Sequence, residues 1–364
     1  AAYMTPTPKA VAEAGIAGIQ AKMNPARIDH DLFFNAPDQV RALFSELINC
    51  PDPDRIAIFP SVSYGMANVV NNIKTGFGNE IIIVEDQFPS AVYPWVIEDS
   101  HWEIKSIQLP SFYKNRGEKL ITSILQSIND RTAAVCLGTV LWTDGIRYDM
   151  EKISEKCREH GALLIIDGTQ SVGAIPFDIQ RIKPDALICA TYKWLLGPYG
   201  ITLGYFGEAF DDGKPIENNW INRANSQDFT RLTQYESSYQ PKAQRYNMGE
   251  YSAFIHLAMI KKSLEMLLEW QVRNIEEYCR YLSTELYDSL LNNKLYWVEP
   301  DPQYRSDHII GIHLLKEELR ENLVKVFQEK KIHVSVRADC LRVSPHLYNT
   351  KKDIYQLMDV LLSQ

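Results

Sequence analysis

The sequence predicts an α/β protein with a doubly wound, mostly parallel sheet and a smaller α+β domain after it. Short apolar runs recur between residues 55 and 190, and helical patterns lie between them. The runs are continuously hydrophobic instead of alternating, which is typical of parallel strands covered on both faces. Repeated strand-helix-strand units favour a doubly wound arrangement.

The large sheet accounts for the first part of the chain. An amphipathic helix is predicted over residues 9–22, after Pro6 and Pro8. The strand-like runs cover residues 55–59, 81–84, 133–137, 162–166 and 186–190. Helices are predicted between them over about residues 64–75, 89–99, 118–129 and 149–160.

The remaining chain changes character twice. Residues 213–250 are rich in Asn, Gln, Ser and Tyr without a clear period, as in a functional or interface loop or in a solvated surface loop. The later pattern predicts helices over 252–292, a strand over 309–313, a helix near 316–330, two short strands around 332–344 and a helix from about 351. We therefore expect three parts, which are an N-terminal segment packing near the small domain (1–20), a large domain (21–250) and a small domain (251–364).

Composition restricts the class of protein. A chain of 364 residues with a hydrophobic fraction of 45% is long enough for two domains with sizeable cores. Its net charge of -8 disfavours nucleic acid or an anionic membrane as a partner. No apolar run approaches the roughly 20 residues that span a bilayer, so we expect a cytoplasmic protein. Its six scattered cysteines form no CxxC pair, which predicts neither a metal site nor a disulfide scaffold.

Candidate functional residues converge on one edge of the predicted sheet. Ligands of doubly wound sheets bind at the carboxyl ends of the strands. The residues that fall there by the predicted elements are Ser63, Phe88, Trp142, Asp167 and Lys193.

Lys193 and Asp167 indicate the chemistry of this edge. Lys193 has apolar neighbours, and partial desolvation favours the neutral amine that attacks an aldehyde. Asp167 ends an apolar run and needs a cationic or hydrogen-bonding partner. The protonated ring nitrogen of pyridoxal phosphate is such a partner. The pair therefore predicts a pyridoxal phosphate site with Lys193 as its Schiff-base lysine.

Other interpretations of the same residues remain. Lys193 alone could be a solvated surface lysine, and Asp167 alone could bind magnesium in a nucleotide-hydrolysing site. That second interpretation requires a phosphate loop, and no GxxxxGK[ST] occurs in the chain. Gly76 and Gly78 precede a strand and lack a third glycine, so a dinucleotide site is rejected as well.

Neighbouring residues could complete the cofactor site. Ser63 opens a predicted helix, where it could bind phosphate or simply cap the helix. Phe88 could stack on the pyridine ring or belong to the core. Gln170 could reach the ring hydroxyl or be a surface glutamine, and Thr191 could supply another hydroxyl.

Two arginines compete for the substrate. Arg342 lies in the segment 341–350, and its guanidinium fork would hold the α-carboxylate of an amino acid. Arg337 is the rival candidate, and a structural ion pair is the alternative for either residue.

Taken together, the segments DGTQ at 167–170, YKWLLGP at 192–198 and SPHLYNT at 344–350 resemble the class V aminotransferase family. These fold-type-I pyridoxal phosphate enzymes include cysteine desulfurases, selenocysteine lyases, kynureninases and isopenicillin N epimerase-like proteins. The resemblance covers nearly the whole chain. It implies a homodimer with the active site at the subunit interface, where a segment between Trp220 and Tyr251 helps the partner bind phosphate.

The resemblance also implies roles for single residues. Lys193 matches the lysine bonded to the cofactor, Asp167 the partner of the ring nitrogen and Gln170 the residue at the ring hydroxyl. Phe88 matches the stacking position and Arg342 the arginine that binds the carboxylate. The remaining matches are Ser63 and Tyr64 at the phosphate turn, and Thr191 and Tyr192 at the Ser/Thr and His before the lysine.

Departures from the family pattern bear on the reaction. Phe88 stands where desulfurases have a histidine that assists proton transfer, and Trp142 stands where they often have asparagine, which suggests a more apolar substrate pocket. Cys340 lies near Arg342, but the interval from Arg337 is too short for a mobile loop with a nucleophilic cysteine.

We therefore expect a pyridoxal phosphate enzyme that acts on Cα or Cβ of an α-amino acid. Transamination, elimination by a lyase and epimerisation share their first steps and stay open. A non-catalytic binding protein of the same fold is the least favoured alternative.

Overall fold

The computed structural model describes residues 1–74, 78–96, 101–112, 115–337 and 339–364. Its helices are α1 (Lys9–Lys22), α2 (His30–Leu47), α3 (Val62–Val70), α4 (Pro89–Val92), α5 (Arg116–Ser127), α6 (Met150–Glu159), α7 (Ile179–Ile182), α8 (Phe254–Trp270), α9 (Val272–Leu290), α10 (Leu319–Glu329) and α11 (Lys351–Leu362). Within these described ranges, no helix is both long and apolar enough to cross a membrane.

The strands form two sheets. They are β1 (Ile56–Phe59), β2 (Glu80–Val84), β3 (Glu103–Ile107), β4 (Thr132–Gly138), β5 (Leu163–Asp167), β6 (Ala186–Ala190), β7 (Thr202–Phe206), β8 (Tyr296–Trp297), β9 (Ile310–Leu314), β10 (Ser335–Arg337) and β11 (Cys340–Val343).

The large sheet has the order β1-β7-β6-β5-β4-β2-β3. β3, β2, β4, β5 and β6 pair in parallel, and β7 runs antiparallel to both β6 and β1. β1 therefore points in the same direction as the parallel strands. The carboxyl ends of these strands share one edge, and the predicted mostly parallel α/β fold is confirmed.

The predicted strand runs correspond to β1, β2, β4, β5 and β6, but four elements of the large domain were missed, namely α2, β3, β7 and the four-residue helix α7. β3 is an edge strand whose residues are mostly accessible, so it lacks a continuous apolar run. β7 is short and has a glycine at its centre. α2 contains Pro37, which interrupts the helical pattern even though the helix continues through it.

Other element predictions were nearly right. The helix predicted over 89–99 is shorter, because α4 ends at Val92 and a 3₁₀ turn follows over Tyr93–Trp95. The helix predicted over 64–75 corresponds to α3, which ends at Val70. Residues 97–99 and residue 75 of these predictions lie outside the described residues, as do residues 76 and 77 of the rejected glycine motif. The regular elements of residues 213–250 are two short 3₁₀ turns, at Phe229–Arg231 and Lys242–Tyr246. A similar turn lies before this segment, at Glu208–Phe210.

The small sheet has the order β10-β11-β9-β8 and is antiparallel throughout. Its core begins at Leu282 on α9 and includes residues of α10 and α11. Leu257 and Ile260 on α8 instead pack with the core of the large sheet, and α1 packs on α8. The predicted small domain thus includes a helix that packs with the large sheet. The predicted domain boundaries after residues 20 and 250 therefore remain predictions.

A largely buried charge cluster links α5 and the loop after β4 to the small sheet. Arg116 Nη1 lies 2.6 Å from Asp144 Oδ2, and His313 Nε2 on β9 lies 3.4 Å from the same oxygen. Burial alone would raise the pKa of Asp144, but His313 and Arg116 hold it below its usual value. Burial opposes the charge of His313, but Asp144 and Asp339 raise the pKa of this imidazole to about 11. The cluster therefore contains two cations and two carboxylates.

The replacement Asp144→Asn tests the contribution of this cluster. It should lower the free energy of unfolding in urea by about 3–5 kcal/mol, because Arg116 and His313 would stay buried after losing a shared counter-charge. Glu151→Gln is the matched control, because it breaks an exposed ion pair with Arg181. The control should lose less than about 1 kcal/mol. Equally small losses in both variants would contradict a stabilising role for the cluster.

Candidate active site

A cavity of about 250 Å³ lies at the carboxyl edge of the large sheet. It is bordered by the segments that follow β1, β2, β4, β5 and β6. The predicted residues on its wall are Ser63, Phe88, Trp142, Asp167, Gln170, Tyr192 and Lys193. The predicted residues that do not line it are Tyr64, Thr191 and Arg342.

Lys193 is held in the cavity by a tight turn after β6. The single O–H of Thr191 is shared between the carbonyls of Pro198 and Ile201, at 2.8 and 2.9 Å, and the backbone N–H of Gly197 donates to the carbonyl of Thr191. Lys193 itself is 6% exposed. Burial lowers the pKa of its amine to about 8, although the nearby Asp167 opposes the shift. The amine is therefore much easier to deprotonate than an ordinary lysine.

Asp167 is the last residue of β5, the strand next to β6. Its Oδ1 accepts a 3.0 Å hydrogen bond from the backbone N–H of Thr169. Burial raises the pKa of this carboxyl, and the hydrogen bonds from Thr169 together with the attraction of Lys193 counteract only part of that shift. A carboxylate in this position is stabilised by any further cation that enters the cavity.

Gln170 is fixed by hydrogen bonds at both ends of its amide. Its Nε2 donates to the carbonyl of Ala2 at 3.0 Å, and its Oε1 accepts from Trp194 Nε1 at 2.9 Å. Burial lowers the pKa of His308 to about 4, so its neutral ring donates from Nε2 to the Gln170 carbonyl at 2.6 Å. The second hydrogen of Gln170 Nε2 has no partner among the described residues.

The N-terminus of α3 forms another wall of the cavity. Ser61 caps this helix, because its hydroxyl accepts from the backbone N–H of Tyr64 at 3.2 Å. The backbone N–H groups of Val62 and Ser63 have no partner among the described residues, and both residues line the cavity. With the hydroxyl of Ser63, they form a suitable position for an anion. The Tyr64 side chain instead donates to Glu217 Oε2 at 2.8 Å.

Aromatic side chains form the apolar part of the wall. Phe88 and Trp142 meet edge to face, with ring centroids 5.3 Å apart. Lys193 Nζ lies 5.4 Å from the Phe88 centroid and 5.6 Å from that of Tyr192. Phe88 therefore presents an aromatic surface beside the amine, where a planar ring could pack.

Arg342 lies on β11, behind Trp142. Its Nη1 donates to the Trp142 carbonyl at 2.8 Å, and its Cζ is 5.6 Å from the indole centroid. Burial, reinforced by the charge of Arg337, lowers the pKa of Arg342 to about 10. Its buried Nε has no hydrogen-bond partner in the described structure. The Nε–H donor of Arg342 is therefore unused, in a residue that is 2% exposed.

Sequence reasoning did not identify every residue on the cavity wall. Thr169 was seen only as part of a motif, but its hydroxyl accepts from the backbone N–H of Ala190 and joins the ends of β5 and β6. Tyr199 and Thr202 also line the cavity. They follow the lysine turn and lead into β7. Because the sequence did not predict β7, these two residues were not identified either.

These groups match the functional groups of pyridoxal phosphate. The cofactor has an aldehyde, a ring nitrogen, a ring hydroxyl and a phosphate. The cavity offers an amine at Lys193, a buried carboxylate at Asp167, an unused amide hydrogen at Gln170 and free N–H groups at the start of α3. Among the described residues, the donor set therefore fits this cofactor.

Comparisons with known proteins agree with this geometry. An uncharacterized aminotransferase of Bacillus subtilis (strain 168), YcbU, is 26% identical over 323 residues, covering 88% of this chain and 82% of that protein. A probable cysteine desulfurase of Staphylococcus epidermidis is 24% identical over 318 residues, covering 82% of this chain and 72% of that protein.

A solved structure shows the same fold. C-DES, determined with glycine covalently linked to its pyridoxal phosphate cofactor, superposes with a TM-score of 0.84 at 18% identity, covering 99% of this chain and 94% of that one. The model of the family described as "Aminotransferase class-V" matches residues 4–357. The chain therefore belongs to the class-V aminotransferase family of pyridoxal phosphate-dependent enzymes.

Proposed function

We propose that this pyridoxal phosphate enzyme acts on Cα or Cβ of an α-amino acid and holds its cofactor covalently at Lys193. The observation that carries the proposal is the burial of an amine and a carboxylate in one cavity, at the ends of the neighbouring strands β6 and β5. Either buried group alone is compatible with a purely structural role, but their combination suits a cofactor with an aldehyde and a basic ring nitrogen.

The other contacts follow from the geometry of the wall. We assign the ring nitrogen to Asp167, the ring hydroxyl to Gln170 and the phosphate to Ser63 with the N–H of Val62. Phe88 would pack against the ring of the bound cofactor. Thr191, Tyr64 and Tyr192 are positioning residues, because they fix the lysine turn, the start of α3 and the space beside Lys193 respectively.

The protein's own groups then position the substrate and move protons. Pyridoxal phosphate, when bound, supplies an electron sink for charge that develops at Cα. We assign the substrate's α-carboxylate to Arg342, whose Nε has no partner among the described residues. Trp142 forms an apolar wall beside it. The Lys193 amine removes or returns the Cα proton, and its lowered pKa suits this role near neutral pH.

Transamination is the main reaction that we propose, with elimination and epimerisation as alternatives. A desulfurase-like attack by Cys340 is not supported. Its Sγ contacts the Thr143 carbonyl at 3.7 Å, the residue is 2% exposed, and burial raises the pKa of its thiol. The thiol is therefore a poor source of the thiolate that such an attack requires.

Cofactor capture by the cofactor-free protein tests the assignment of Lys193. After mixing with pyridoxal phosphate, the borohydride-sensitive visible absorbance of a lysine-bound cofactor should form with a rate that rises as pH increases through about 8, because the attacking amine must be neutral. Stopped-flow absorbance against pH measures this midpoint.

A matched pair of variants controls this experiment. Lys193→Ala should bind the cofactor only weakly, form no such absorbance and show no turnover. Lys152→Ala removes an exposed lysine and should behave as the unmodified protein does. A midpoint near the usual lysine value of about 10.4, or turnover by Lys193→Ala, would refute the assignment.

We also infer that the chain forms a homodimer through the segment 213–250. This segment exposes Trp220 at 40%, Phe229 at 43% and Tyr235 at 98%. Phe229 extends an aromatic cluster with Phe33 and Phe34. Large aromatic residues grouped at a surface are typical of protein interfaces. The cytoplasmic location and the absence of nucleic-acid and membrane partners stay predictions.

Sedimentation of the holoenzyme tests the dimer. The unmodified protein should have twice the mass of one chain, and the double variant Trp220→Asp, Tyr235→Asp should shift toward the monomer, because burying carboxylates in an interface is unfavourable. Tyr281→Asp is the control, because Tyr281 is an exposed aromatic residue on α9 in the small domain. A monomeric unmodified protein at micromolar concentration, or equal effects of the two changes, would rule out this interface.

A further inference from the structure

A second and larger chamber opens beside the cofactor cavity. Its volume is about 510 Å³, and it shares Gln87 and Trp142 with the cofactor cavity as common wall residues. Phe112, Leu109 and Pro89 supply apolar surface. A substrate held at Lys193 therefore has room for a side chain on the far side of the Trp142 indole.

Most charges around this chamber balance one another. Arg116 Nη1 lies 2.6 Å from Asp144, and His313 lies 3.4 Å from Asp144 and 3.6 Å from Asp339. Asp86 also faces the chamber, and burial together with neighbouring carboxylates raises the pKa of its carboxyl. Asp144 and Asp339 thus balance Arg116 and His313, and Asp86 is a further carboxyl group on this wall.

Arg337 differs from Arg116 and His313, because it is a cation without a paired carboxylate among the described residues. It forms no ion pair with any described residue, and its Nη1 donates only to the backbone carbonyl of Val336 at 2.8 Å. Its Nε is buried without a hydrogen-bond partner in the described part of the chain. The guanidinium lies on the chamber wall, 5.5 Å from the Trp142 centroid. An arginine in this state has unused capacity for a planar anion.

Arg337 and Arg342 together concentrate positive charge at one indole. Their guanidinium carbons lie 5.5 and 5.6 Å from the Trp142 centroid. Each has a buried Nε with no partner among the described residues. A ligand with a single carboxylate satisfies one of these groups and leaves the other. A ligand with two anionic groups satisfies both.

We propose that Arg337 binds an anionic group at the end of the substrate's side chain, so that the preferred substrates are α-amino acids with acidic side chains. This inference rests on the proposed function, because Arg342 takes the α-carboxylate in it. The side chain extends along Trp142 into the 510 Å³ chamber and ends at Arg337. Arg337 is then the residue that distinguishes acidic side chains from their neutral isosteres.

Spectral titration of the holoenzyme tests this specificity. L-glutamate and L-aspartate should bind at least about tenfold more tightly than L-glutamine and L-asparagine, because only the acids form charge-assisted pairs with Arg337. O-phospho-L-serine, compared with L-serine, tests phosphate in place of carboxylate. Tighter binding of the anionic amino acid in either comparison supports the proposal, and it shows whether Arg337 prefers a carboxylate or a phosphate.

Two variants separate the arginines. Arg337→Met should reduce the ratio of acid to amide affinity by about tenfold or more. Arg342→Lys should weaken the binding of the acids and of the amides to the same extent, so that the ratio of their affinities is unchanged. Equal affinities of the unmodified enzyme for acid and amide, in both the carboxylate and phosphate comparisons, would overturn the proposal without relying on a variant. A cofactor spectrum that no amino acid perturbs would instead overturn the proposed function, and this inference with it.

Discussion

The proposed active site depends on the burial of two ionisable side chains at the ends of adjacent parallel strands. Asp167 ends β5, and Lys193 follows β6 by three residues. Desolvation disfavours the charged form of each group, so it raises the pKa of the carboxyl and lowers that of the amine to about 8. Neither shift benefits an unliganded protein. Both are useful when a ligand brings an aldehyde to the amine and a protonated nitrogen to the carboxylate.

The surrounding structure keeps these two groups in place. Trp194, directly after the lysine, donates to the Gln170 side chain, and its ring packs edge to face against His308 of the small domain. His308 in turn donates to the Gln170 backbone. The N-terminal segment joins the same network through the Ala2 carbonyl. The lysine turn, the aspartate turn and the small domain are therefore positioned together, which favours a single geometry of the site.

The sequence predicted the features that depend on local pattern. Continuous apolar runs identified β5 and β6, and their ends identified Asp167 and Lys193. The sequence did not predict the directions in which side chains point. Ser61 rather than Ser63 caps α3, the Tyr64 hydroxyl donates to Glu217, and the Thr191 hydroxyl bonds within its own turn. The position of Arg342 behind Trp142 and the unpaired state of Arg337 among the described residues depend on contacts between distant strands and loops, which spacing cannot show.

The central claim is that Lys193 is the residue bonded to the cofactor. Peptide mapping by mass spectrometry, after borohydride reduction of the pyridoxal phosphate-loaded protein, tests it most directly. We expect the reduced cofactor to be attached to the peptide containing Lys193, at close to one cofactor for each chain. Attachment at another lysine, or a Lys193 peptide without the added mass, would contradict the claim.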